Sequence, residues 1–176
     1  MNKKFRSVMS MAATLLAGML FLTGCDYINA TFDRKGYLEK QATSLVTKIL
    51  ARDNINYSCL KVKITNKAGS KNYSAAATLD NGDELDIIIE DRDDSIWIKP
   101  DGKSHKTLKF YARELVTQIL RKNLGESAAK CTGVEITGEI DGNNYRGEAE
   151  LDNGNTCNIS IENRSDGQIY VQILGF

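Results

Sequence analysis

CLKVKITNKAGSKNYSAAATLDNGDELDIIIE, residues 59–90, returns as CTGVEITGEIDGNNYRGEAELDNGNTCNISIE, residues 131–162. Cys59, Val62, Ile64 and Thr65 recur as Cys131, Val134, Ile136 and Thr137. Asn72-Tyr73, Ala77 and Leu79-Asp80-Asn81-Gly82 recur as Asn144-Tyr145, Ala149 and Leu151-Asp152-Asn153-Gly154, and Ile87, Ile89 and Glu90 as Ile159, Ile161 and Glu162. Upstream of each stretch, Leu45-Val46-Thr47-Lys48-Ile49-Leu50 matches Leu115-Val116-Thr117-Gln118-Ile119-Leu120. Matches that keep their order over a whole unit mark a tandem duplication.

Each unit opens with a helical pattern. Leu38, Ala42, Leu45, Val46, Ile49 and Leu50 in the first, and Ala112, Leu115, Val116, Ile119 and Leu120 in the second, fall on one face, and Gly125 is placed as a stop. The period then changes to two. Leu60, Val62 and Ile64 are expected on one face of a first strand, Tyr73, Ala75, Ala77 and Leu79 of a second, Leu85, Ile87 and Ile89 of a third, and Ile96 and Ile98 of a fourth. The second unit repeats this with Val134 and Ile136, then Tyr145, Gly147, Ala149 and Leu151, then Cys157, Ile159 and Ile161, then Ile169, Val171 and Ile173. Asn81-Gly82 and Asn153-Gly154 read as two-residue hairpin turns with positive φ at both positions. The expected class is α+β, a tandem duplication in which each unit is one helix packed on a four-stranded antiparallel sheet. The only proline, Pro100, marks the boundary. The division is residues 1–24 as leader, 25–36 as tether, 37–99 as repeat 1, 100–106 as linker and 107–176 as repeat 2. A unit of this size has a marginal core alone, so the two are expected to pack together or to share a sheet. The plan resembles the secreted β-lactamase inhibitor protein and small envelope-assembly lipoproteins, at the level of fold only; no motif is shared and no residue role carries over.

The N-terminus carries an address. Lys3, Lys4 and Arg6 precede an uncharged run, Val8 to Leu22, too short to span a membrane and ending in small residues. Leu22-Thr23-Gly24-Cys25 resembles the lipobox of bacterial lipoproteins. That resemblance implies cleavage before Cys25, diacylglycerol on its sulfur and, in many bacteria, an acylated (palmitate-type) new N-terminus. Two or three acyl chains make a stable anchor where one is marginal. Asp26 resembles the signal that holds lipoproteins of enteric-type bacteria in the inner membrane, facing the periplasm. The expected location is therefore the cell envelope, lipid-anchored.

The charge is even, 23 basic against 23 acidic residues, and 41% of the 176 residues are apolar. That balance excludes a sustained nucleic-acid footprint, and the apolar content excludes a disordered chain. Loss of the leader removes three basic residues and no acid, leaving 20 against 23 and a formal charge of −3. The body is not built to lie on anionic lipid.

Candidate chemistry is sparse. Besides Cys25, three cysteines enter an oxidising compartment. Cys131 and Cys157 are a disulfide candidate at one end of the second sheet; a Cys59–Cys131 bridge and three buried thiols are the alternatives. Only His105 is available to complete a zinc set or a nucleophile pair, and it sits in a polar linker, so no catalytic residue, metal or cofactor is assigned. Glu90-Asp91-Arg92-Asp93-Asp94 lacks calcium-loop spacing and reads as a charged turn. Asp80 and Asp152 read as turn residues. On the outer face of the first sheet the alternation places Ala76, Ile88 and the only tryptophan, Trp97, where the second unit has Glu148, Ser160 and Tyr170. An apolar spot centred on an aromatic residue is a candidate partner contact. The sequence thus reads as a non-enzymatic, lipid-anchored envelope protein that binds another envelope protein. The alternatives are an enzyme inhibitor using residues 67–72 or 138–143, a structural spacer, or a hydrolase using two carboxylates.

Overall fold

A computed structural model of the chain describes residues 33–92 and 95–175. The order is α1 (Arg34–Arg52), β1 (Cys59–Lys67), β2 (Asn72–Leu79), β3 (Glu84–Arg92), β4 (Ser95–Pro100), α2 (His105–Leu124), β5 (Cys131–Asp141), β6 (Asn144–Leu151), β7 (Thr156–Asn163) and β8 (Ile169–Leu174). Two antiparallel meanders, β1-β2-β3-β4 and β5-β6-β7-β8, form separate sheets, each covered by its own helix. The fold is the duplicated α+β unit.

The helices begin earlier than the apolar pattern indicates. Asp33 caps α1, its carboxylate accepting from the Gly36 N–H at 2.9 Å, so α1 starts inside the stretch assigned to the tether. Ser104 caps α2 inside the stretch assigned to the linker. At its other end α1 closes with Asn54 at φ +57°. There the Asn54 N–H donates to the Ala51 carbonyl and the Ile55 N–H to that of Leu50, the paired bonds of a Schellman cap with Ile55 buried behind it.

The strands and their turns depart from simple alternation at two points. Leu60 is not on the buried face with Val62 and Ile64; it is 64% exposed. Cys59 pairs with Leu79 but Lys61 with Thr78, so Leu60 is the extra residue of a β-bulge and Cys59 takes the inward position. The second unit repeats the bulge at Thr132, between Cys131 and Gly133, and both units have a second one, at Thr65 and Thr137. The Asn-Gly turns are not two-residue loops. The Leu79 N–H donates to the Asp83 carbonyl and the Gly82 N–H to that of Leu79. This encloses three residues, of which only Gly82, at φ +88°, has positive φ. Asp152-Asn153-Gly154 does the same, with Gly154 at +81°. A three-residue loop needs one left-handed residue, which glycine supplies without strain.

The inward faces of both sheets, both helical stripes apart from Ile119 and the residue Ile55 form one contiguous core; Ile119, expected on the second stripe, is half-buried outside it, and Leu108, Phe110 and Tyr111 extend the stripe at its start. The units meet through α2, which contacts β3 of the first sheet as well as β5 and β8 of its own. Tyr57 packs its ring 6.2 Å from that of Phe110. Thr107, fully buried, accepts from the Asp86 N–H at 2.9 Å and donates to the Asp86 carbonyl at 3.0 Å. β4 pairs with β3 only from Ile87 onward; the Asp101 N–H still reaches the Asp86 carbonyl, and the Thr107 hydroxyl supplies the acceptor that the Asp86 N–H would otherwise lack.

Candidate functional site

Ala76, Ile88 and Trp97 do share the outer face of the first sheet, all half-buried. Ala76 lies opposite Asp86 and Lys63, Ile88 opposite Ser74 and Lys99, and Trp97 opposite Glu90, so the three run diagonally with Ile88 in the middle. The tryptophan is dressed by polar groups. The Arg92 guanidinium stacks 3.9 Å from its ring centroid, and its indole N–H donates to the Ser95 hydroxyl at 3.2 Å. Arg92 and Lys99 hold Glu90 at 2.8 and 3.1 Å, and these hydrogen bonds lower the Glu90 pKa. Glu90, Arg92, Trp97, Ile98 and Lys99, with Asp166 from the second unit, line a hollow of about 170 Å³. The second unit repeats the arrangement, with Arg164 stacked 3.8 Å from the Tyr170 centroid and paired with Glu162 at 2.9 Å. Stacked arginine over an aromatic ring is thus part of the duplicated plan.

Two of the three described cysteines have a structural use. Cys59, Cys131 and Cys157 are free thiols, and β6 runs between β5, which begins at Cys131, and β7, which carries Cys157. The Cys59 S–H donates to the Lys61 carbonyl at 3.4 Å and that of Cys131 to the Gly133 carbonyl at 3.1 Å, each across the bulge it precedes. Burial pushes both thiols up to about 11. They are protonated at neutral pH and poor nucleophiles. Cys25 and the rest of the stretch that resembles a lipobox, like Asp93 and Asp94, lie outside the described residues.

Asp80 and Asp152 are turn clasps. Each carboxylate accepts from the backbone N–H just before the first strand of its unit, Ser58 at 3.1 Å and Lys130 at 3.0 Å. His105 is exposed at the start of α2, edge-on to the Tyr145 ring. Among the described residues no three His, Cys, Asp or Glu side chains gather as a metal set.

A second concavity, not singled out by the sequence, lies where the units meet. It is a cleft of about 490 Å³ walled by the β2–β3 turn at Gly82, Asp83 and Glu84, by Lys106, Lys109, Phe110 and Arg113 of α2, and by Gly133 and Val134 of β5. Arg113 reaches across to Asp83 at 2.6 Å and also holds Glu114, and Lys106 reaches Glu84 and Asp86. Burial opposes the charge on Arg113, but its hydrogen bonds to Asp83 and Glu114 prevail and its pKa is raised. Lys109, in the same wall, has no ion-pair partner among the described residues. The repeat itself carries the signal: Glu39 and Thr43 of the first helix become Lys109 and Arg113 at the equivalent turns of the second. No protein-family model, curated protein or solved structure matches the chain.

Proposed function

We propose that the chain is an exported, lipid-anchored envelope protein whose duplicated body binds another protein without catalysing a reaction. The hollow at Trp97 carries this reading, because an aromatic residue stacked with arginine and rimmed by residues of both units is the composition of an interface anchor. The lipobox at Leu22–Cys25 supplies the anchor to the membrane. The test is capture of a partner from the native envelope by the full-length protein and by Trp97→Asp, with circular dichroism and melting matched to wild type. A partner held by wild type and lost with the folded variant supports the reading, whereas equal capture by both places the contact elsewhere.

An inhibitor reading has one observation in its favour. β5 has 11 residues against 9 in β1, and Ile140, 55% exposed, stands near the tip of the longer hairpin within residues 138–143. In the same capture, loss with Ile140→Asp and retention with Trp97→Asp select that reading instead.

A further inference from the structure

The two units solve the same problem differently at the edge of their first strand. An edge strand presents N–H groups that need acceptors. In the first unit α1 supplies them from one face: Thr47 Oγ1 accepts from the Cys59 N–H at 2.9 Å, Thr43 Oγ1 from the Val62 N–H at 3.0 Å, and a Glu39 carboxylate oxygen from the Ile64 N–H at 2.8 Å. In the second unit Thr117 keeps the first of these, accepting from the Cys131 N–H at 3.0 Å. The other two acceptors are replaced by cations, Arg113 for Thr43 and Lys109 for Glu39.

The register of the strand at these positions has not changed. Val62 lies opposite Ala77 and Val134 opposite Ala149; Ile64 lies opposite Ala75 and Ile136 opposite Gly147. The shared register turns the N–H groups of Val134 and Ile136 away from β6, toward α2, and neither has an acceptor among the described residues. Val134 and Ile136 are half-buried where Val62 and Ile64 are buried, so this edge is the more accessible of the two.

We propose that the cleft between α2 and β5 is a carboxylate seat, which takes an Asp or Glu side chain from an extended segment of a partner protein. The first unit shows the chemistry: its own Glu39 fills the equivalent place. In the second unit the backbone donors remain and Lys109 adds a positive charge where that carboxylate stood, so the seat is selective for an acceptor that is also an anion. Neighbouring Arg113 and Lys106 are already committed to Asp83, Glu84, Asp86 and Glu114, which leaves Lys109 as the cation to answer an incoming charge. That the carboxylate comes from a protein rests on the binding-module reading above. The seat lies beside α2, away from Trp97 on the outer face of the first sheet, so failure of one contact leaves the other measurable.

The test is an amide titration of the full-length chain, nitrogen-15 labelled and held in zwitterionic micelles, with a blocked pentapeptide alternating valine and glutamate. The Val134 and Ile136 amide signals are expected to move while those of Val62 and Ile64 stay. The matching glutamine peptide is expected to leave all four in place. Lys109→Glu, which restores the first unit's own carboxylate, is expected to weaken the response about tenfold or more, and Lys109→Gln, which only removes the cation, severalfold. The proposal is overturned if the glutamate peptide moves neither amide, if the glutamine peptide does as well, or if free glutarate does so as strongly as the peptide, which would make this a small-carboxylate site.

Discussion

Asp53, the C-cap of α1, buries one carboxylate oxygen with no partner among the described residues, while the other accepts from Arg52 at 3.3 Å. Burial pushes its pKa up to about 6, from about 3.8 in the unfolded chain. A carboxyl whose folded pKa is raised binds its proton more tightly in the fold. With respect to this group the fold is therefore most stable below about pH 4, loses stability as pH rises to about 6, and stays weakened above that. Asp53→Asn is expected to raise the melting temperature at pH 7, by a stability gain on the order of 1 kcal/mol after solvent screening, and to change little at pH 4. Equal effects at both pH values would remove ionisation as the cause. The cysteine positions carry a different lesson. Their recurrence was plain in the sequence, but their purpose, a thiol bonded across a bulge, was not, because cysteine spacing is first read as cross-linking.

At the scale of elements, alternation identified every strand and failed where a residue was added. Leu60 is β-prone and sits in phase with Val62 and Ile64, so nothing local distinguishes it from a core residue. Only the pairing with β2 exposes the slip, and pairing is not written in one strand. The exchanges of Glu39 for Lys109 and Thr43 for Arg113 between the helices were equally visible, but their meaning depends on knowing that the helix runs along the edge of the first strand. Thr107 is a third case, a polar residue inside an apolar stripe that serves a strand of the other unit. Thr107→Val keeps the shape and removes the hydroxyl. It leaves the Asp86 N–H buried without its acceptor, while the Asp86 carbonyl keeps the Asp101 N–H at 2.8 Å. The expected loss is about 1–3 kcal/mol in urea unfolding. A loss below about 0.5 kcal/mol would mean that water replaces the hydroxyl freely.

For the whole molecule, duplication was legible because both halves keep the same core positions, whereas their docking was not, because the residues that make it lack counterparts. Tyr57 with Phe110, Thr107 with Asp86 and Gln118 with the Asp53 carbonyl at 3.1 Å each join one unit to the other, and Asn163 of the second unit holds the Gly102 carbonyl of the connecting segment at 3.0 Å. The two halves share one apolar core, so they are expected to unfold together. Tryptophan fluorescence, which reports Trp97 in the first unit, and far-ultraviolet circular dichroism, which reports both, should give coincident urea transitions. Two separated transitions would show that the interface adds little.

The first helix also fixes which end of the molecule is held. Arg34 at its start is tied to Asp91 near the far end of β3, whereas the β2–β3 turn that walls the cleft lies at the other end of that nine-residue strand, roughly 30 Å away. Whatever grips the chain ahead of Asp33, a membrane, a bead or a fusion partner, therefore holds it by the opposite pole. A protein leashed there carries its inter-unit cleft at the pole away from the leash, so immobilisation through this end does not itself occupy the cleft.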